Sequence, residues 1–159
     1  MDADTGEIIA VELTGKDVDD GSQVAPLLEQ IAVPVASFTG DGAYDRDDVY
    51  REVCQHHPDA AVIVPPRSSA VPSAMVDSAP TKRDRHVQLI AERGRMGWQR
   101  VSGYNWRALV EADIGRYKRL IGDALRSRTK GRQMTEVAIA VALLNRMLEL
   151  GRPKYVRLT

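Results

Sequence analysis

The part of the chain that most narrows its fold lies between Pro34 and Pro66. Two short apolar runs, residues 35–39 and 60–64, carry β-branched side chains and are bounded by proline and glycine. Between them Val49, Tyr50, Val53 and Cys54 recur at helical spacing, and Asp45, Asp47 and Asp48 stand where a helix begins, at its positive end. His56-His57-Pro58 closes that helix. Strand, helix, strand is the unit from which sheets with helical crossovers are built. The first strand runs straight into Gly40-Asp41-Gly42. Glycines on both sides of an aspartate let the backbone turn sharply and leave the carboxylate at the sheet edge, where α/β folds carry chemistry. The same dipeptide also makes a plain turn, so both readings of Asp41 stand at this point.

The rest of the chain extends the alternation. Residues 1–14 read as a hairpin, with a turn at Asp4-Thr5-Gly6 and a strand at Ile8-Ile9-Ala10-Val11-Glu12-Leu13. Asp17, Asp19 and Asp20 lack the glycine-centred loop and closing glutamate of a calcium site. Capping is their expected work, with Ser22 as N-cap of a core helix over residues 23–31. Residues 67–80, rich in Ser, Pro and Ala, form a loop or insertion. Thr81 caps a basic helix over 82–93, followed by an irregular basic loop over 94–100 around Trp98. A tryptophan among cations suits stacking on nucleic acid, but a single one is more often a core anchor. Ser102 caps a helix running to about Arg128, and Gly131 breaks it. The last helix, over 133–150, is apolar almost all round, which buries it in the fold or against a partner chain; residues 151–159 form a loose tail. Strand, helix, strand, helix, strand, helix, helix predicts an α/β fold with a mixed sheet.

Composition closes off several classes. The length of 159 residues suits one domain or part of one. No apolar run reaches membrane-spanning length, and no signal peptide opens the chain. Cys54 is the lone cysteine, which excludes a disulfide framework and a cysteine-based zinc site and points to the reducing cytoplasm. The net charge of zero hides two opposite halves. Residues 1–60 hold three Lys/Arg against fourteen Asp/Glu, whereas residues 81–132 hold fourteen against five. The second segment therefore suits a polyanion, unless the two halves simply attract each other.

Within that basic segment, Tyr104, Arg107, Glu111 and Lys118 fall within roughly a 60° arc if the stretch is one helix at about 100° per residue. A carboxylate between two permanent cations stays ionised and sits well beside phosphates. The plainer reading is a solvated face with an Arg–Glu pair one turn apart.

Taken together, three ordered motifs resemble the insertion-sequence DDE transposases, in particular the IS-five-like group. They are Gly40-Asp41-Gly42-Ala43-Tyr44, then Val62-Ile63-Val64-Pro65-Pro66-Arg67, then the spacing Y-x₂-R-x₃-E-x₆-K from Tyr104 to Lys118, the YREK signature. The resemblance implies an RNase H-like mixed sheet flanked by helices. Within it, residues 1–131 form a partial catalytic domain with a loop and basic insertion at 67–100, and helix 132–150 packs on it. Asp41 and Glu111 then match the second aspartate and the glutamate that hold Mg²⁺ or Mn²⁺, in a two-metal site of the kind that cleaves and joins phosphodiesters. Tyr104, Arg107 and Lys118 match positions that contact or orient the transposon-end DNA. Arg67 is given no catalytic role.

The implied partners are double-stranded DNA, as terminal inverted repeats and target, and a second subunit on that DNA. The family's first aspartate lies on a strand before the hairpin, and neither Asp2 nor Asp4 replaces it. The chain thus resembles a C-terminal fragment of a catalytic domain, truncated at the first strand. Little catalysis alone, with marginal stability or self-association, is the expectation. A non-catalytic DNA-binding remnant and a simple RNase H-like nuclease are the alternatives.

Overall fold

In a computed structural model, residues 1–151 are described. They fall into two compact units, Thr14–Ala108 and a second made of Met1–Leu13 with the chain from Leu109 onward. Each unit is described in its own right.

The first unit is built on the predicted strand–helix–strand. β1 (Ser37–Thr39) and β2 (Ala61–Ile63) pair in parallel, with Phe38 opposite Val62. Flanking bonds lengthen the ladder: Ala61 N–H donates to Ala36 O at 2.9 Å, and Gly40 N–H to Ile63 O at 3.2 Å. Parallel strands need a long crossover, and α2 (Asp47–His56) supplies it. Asp47 and Asp48 lie in its first turn, as the helix dipole favours, and Val49, Tyr50 and Val53 point into the core. There they meet Val24 and Leu28 of α1 (Val24–Leu28) and Ala60, Val62 and Val64 of the β2 region.

Helix α1 is shorter than the expected 23–31, and it has no side-chain cap. The 3₁₀ turn Asp20–Gln23 precedes it, and Asp19 rather than Ser22 is the capping residue, accepting from the Ser22 amide. The acidic turn thus caps the 3₁₀ turn and not the core helix.

Downstream, the expected helix over 82–93 forms, and the expected basic loop over 94–100 is helical as well. α3 runs over Lys82–Ser102 with a kink at Gly94, whose φ of 69° and ψ of 170° suit glycine alone. Gly94 ends one helical stretch and the next begins directly after it, so the expected boundary after Arg93 holds while the expected loop is helical. At its start Thr81 caps as expected, in a reciprocal box with Asp84. Asp84 is buried, and its carboxylate accepts from Ser73 N at 2.6 Å, Ser73 Oγ at 2.8 Å and Thr81 N at 2.9 Å. The Ser73 amide above all holds it well below the usual carboxylate range. At the other end Gly103, left-handed at φ 77°, stops α3. Ser102 is therefore the last residue of α3 and does not cap a new helix. A 3₁₀ turn, Tyr104–Trp106, follows, and α4 spans Arg107–Leu120.

In the second unit α4 ends eight residues short of Arg128, where the amides of Ile121 and Gly122 both turn back to Tyr117 O at 2.8 and 3.4 Å. The Glu136 carboxylate then takes the amides of Arg126 and Ser127, each at 2.8 Å. α5 covers Lys130–Glu149 and contains Gly131 in its first turn, where the amide needs no partner within the helix. Ala140 and Leu144 are buried, whereas Ile139, Leu143 and Met147 are exposed, so α5 is less enclosed than its composition suggests.

The turn at Asp4-Thr5-Gly6 forms, closed by Asp2 N to Glu7 O at 2.8 Å and Gly6 N to Asp2 O at 3.0 Å. The strand expected over residues 8–13 does not. Instead the Asn145 side chain pairs with Ile8, accepting from its N–H and donating to its C=O, both at 3.0 Å. No helix among the described residues is long and apolar enough to cross a membrane. Of the expected tail, residues 152–159 lie outside the described residues.

Candidate functional site

The chemistry-bearing turn begins where β1 stops. At Gly40 a Cβ would lie 2.9 Å from the Tyr44 ring, so a side chain there would push the ring away. Phe38 meets the same ring edge-on, with centroids 5.8 Å apart. Asp41 caps the 3₁₀ turn Gly42–Tyr44, its Oδ1 accepting from Ala43 N at 2.8 Å. Its Oδ2 lies 3.6 Å from Arg107 Nη2, and the side chain is 44% exposed. Burial, reinforced by the carboxylates of Asp20 and Asp41, pushes the Tyr44 hydroxyl pKa up.

Two further residues hold this turn. Asp45 is fully buried at its side chain: Arg83 Nε donates to Oδ1 at 2.7 Å, Arg83 Nη2 to Oδ2 at 3.1 Å, and Arg67 N to Oδ2 at 2.8 Å. That fork raises the Arg83 pKa. Arg67, in the Pro-Pro-Arg turn after β2, reaches Gly42 O at 3.3 Å and Ala43 O at 3.5 Å with its side chain. Arg95 on α3 in turn donates to Pro66 O at 2.9 Å. The first two sequence motifs are thus one cluster in space.

The approach of Arg107 rests on the kinked helix. Trp98, 1% exposed, donates from Nε1 to His86 Nδ1 at 2.8 Å, and His86 Nε2 lies 2.7 Å from Val62 O. With Nδ1 accepting, the proton sits on Nε2 and the imidazole is neutral. Burial lowers the His86 pKa. Tyr104 packs on Trp98 with centroids 5.2 Å apart, leading the chain into Arg107. Trp98 is therefore the core anchor, on a helix rather than a loop, and is not available to stack on a base.

Of the residues expected to act, the structure brings Asp41 and Arg107 together and sets Tyr104 one turn before Arg107. Tyr104 opens the 3₁₀ turn that leads into α4 rather than lying on α4 itself. Glu111 and Lys118 lie on α4, in the second unit. Among the described residues no three His, Cys, Asp or Glu side chains are gathered as a metal cage. Asp41 nevertheless fits the part of a single hard-oxygen ligand: it is exposed at a strand end, and Mg²⁺ takes one or two carboxylates alongside water and substrate phosphate. Asp2 is committed elsewhere, its carboxylate holding the amides of Asp4 and Thr5 at 2.9 and 2.8 Å.

A family model described as the transposase DDE domain matches residues 1–146, which include every site residue just described. The chain belongs to the transposase DDE domain family. No solved structure matches it. The DDE domain assigns the chain to transposition in general, with DNA as the partner and divalent metal as the usual cofactor. Its mixed architecture, helix-rich with a small parallel sheet, agrees with an α/β transposase domain.

The basic surplus of this DDE domain is not all available to DNA. Arg83 is committed to Asp45, Lys82 to Pro58 O at 3.1 Å and Ala60 O at 2.6 Å, and Arg116 lies 3.5 Å from Asp113. Exposed cations remain at Arg85, Arg93 and Arg100 in the first unit, and at Lys118, Arg119, Arg126, Arg128 and Arg132 in the second. Sequence reading missed Asp45 and Arg83 as site residues. Asp45 carried only the signal of a helix start, and its partner lies 38 residues away.

Proposed function

We propose that this chain serves an insertion-sequence transposase of the IS-five-like group, in the metal-dependent cleavage of transposon-end DNA and its transfer to a target. The observation that carries the reading is Asp41, presented at the end of β1 with the signature Arg107 at 3.6 Å. A carboxylate and a guanidinium side by side offer both halves of a phosphate site, one for a hard cation and one for the phosphate oxygens.

In this reading Asp41 and Glu111 hold Mg²⁺ or Mn²⁺. The ion, when bound, supplies Lewis-acid stabilisation of the charge that develops on a phosphodiester. Arg107 pairs with a non-bridging phosphate oxygen beside Asp41, and Tyr104 and Lys118 orient the transposon-end duplex. Residues 1–131 make up an RNase H-like catalytic portion and helix 132–150 supports it. The partners are terminal inverted repeats, target DNA and a second subunit on the DNA, in the cytoplasm.

The test titrates Mn²⁺ and duplex DNA into wild type, Asp41→Ala and Glu111→Ala. Both substitutions are expected to abolish Mn²⁺ binding and leave salt-sensitive DNA binding in place. Lys118→Ala should lower the salt slope by about one. Mn²⁺ binding that survives both acidic substitutions would sink the metal assignment and leave a DNA-binding protein without chemistry.

A further inference from the structure

Asp41 caps a turn that is gripped at both ends. The short 3₁₀ turn it caps, Gly42–Tyr44, gains its far anchor at Asp45, whose amide donates back to Gly42 O at 3.3 Å. A 3₁₀ turn of this length has poor hydrogen-bond geometry and little stability of its own. Its orientation must come from what grips its ends. At the near end that is the β1 ladder. At the far end it is a buried carboxylate held by three donors from two other places in the chain: Arg83 on α3, twice, and the Arg67 amide after β2.

We infer that Asp45 is a positioning residue for Asp41: with Arg83 it locks the Gly42–Tyr44 turn so that the Asp41 carboxylate keeps one oxygen on the Ala43 amide and turns the other toward Arg107. The inference deepens the proposed role of Asp41 and rests on it only for the metal readout. Three features favour positioning over a plain packing role. Asp45 belongs to the same turn as Asp41, so any tilt is transmitted within four residues. Its oxygens are fully engaged and buried, which leaves it no ligand to take. The Arg67 side chain, whose amide Asp45 fixes, continues on to the carbonyls of Gly42 and Ala43. One carboxylate thereby orients the turn from both sides. A bidentate guanidinium fork fixes direction as well as distance, which a lysine cannot do.

Asp45→Asn keeps the shape and removes the charge. In the ¹⁵N-labelled full chain, amide exchange at Ala43 reports whether Asp41 still accepts its bond, and amides of Val53 and Val62 report the core. The expected result is faster exchange at Ala43 with the core amides unchanged. In the same sample Mn²⁺ should broaden the Ala43 and Tyr44 amides in wild type, and about tenfold more Mn²⁺ should be needed in the variant. Unchanged exchange at Ala43, or acceleration only in step with the core, would overturn the inference. If wild type shows no Mn²⁺ broadening while Ala43 loosens in Asp45→Asn, the positioning stands and the metal role of Asp41 falls. Should Asp45→Asn fail to fold, Arg83→Lys keeps the charge but loses the fork, and the same two readouts decide: a loosened Ala43 supports the inference, an unchanged one overturns it.

Discussion

The turn that carries Asp41 and the helix that carries Glu111 are held in opposite ways. Around Asp41, Arg67 and Arg83 bond to the turn and Arg107 approaches the carboxylate, and the residues behind it form the core of the first unit. Helix α4 has no buried residue, and Leu109, Ile114 and Leu120 on it are all exposed. One acidic residue sits on a fixed mount, the other on a helix with an accessible surface. For a protein that handles a large, charged ligand, this difference has a physical logic. A firmly held element fixes the direction of a side chain, whereas an exposed cationic helix has the freedom to adjust to a charged surface.

Several measurements would break or sharpen that contrast. The largest effect is expected at Trp98, which joins α3 to β2 through His86 and supports Tyr104. Trp98→Ala should cost about 3–5 kcal/mol in urea unfolding and lower the melting temperature accordingly. A small loss there would mean that the kinked helix does not belong to the fixed mount. Next is Gly94, whose backbone angles admit no side chain comfortably. Gly94→Ala should cost about 1–3 kcal/mol by the same method.

The third effect is in pH. Folding lowers the His86 pKa, chiefly by burial, so the unfolded chain takes up a proton that the folded chain refuses. Stability from this group is complete above the ordinary histidine value of about 6.5 and is lost as pH falls below it towards the folded value. The slope it contributes has a ceiling of about 1.4 kcal/mol per pH unit. Comparing wild type with His86→Gln between pH 7 and pH 5 should show the extra slope in wild type alone; equal slopes would remove His86 from the account. Smallest of all, Ile114→Ala on α4 should change stability by no more than about 0.5 kcal/mol. A loss of several kcal/mol there would erase the difference between the two regions.

The sequence was informative where signals are local. The β1–α2–β2 order, the acidic start of α2, the Thr81 cap and the turn at Asp4-Thr5-Gly6 all follow from residues within a few positions of one another. It misled where a glycine has two meanings. Gly94 does break helical geometry, but a second helical stretch follows it at once in place of a loop, and Gly131, which looked like a breaker, sits in a first turn. Gly103, which does end a helix, carried no distinguishing signal. At the candidate site, Asp41 was legible from its flanking glycines and from family likeness. The Asp45–Arg83 fork was not, because nothing in a run of residues announces a partner 38 positions away. Nor was the role of Asn145, which reads as one polar residue in an apolar helix and in fact stands in for a strand.

That amide pairing between Ile8 and Asn145 sets an order of events during synthesis. The segment Met1–Leu13 is made before Thr14–Ala108 but belongs to a unit completed only after it. At a translation rate of roughly 5–20 residues per second, Ile8 waits on the order of ten seconds for its partner to be made. All of Thr14–Ala108 is available to fold in that interval. For that interval Ile8 has its backbone polar groups turned to water, and the pairing closes only when α5 has been made.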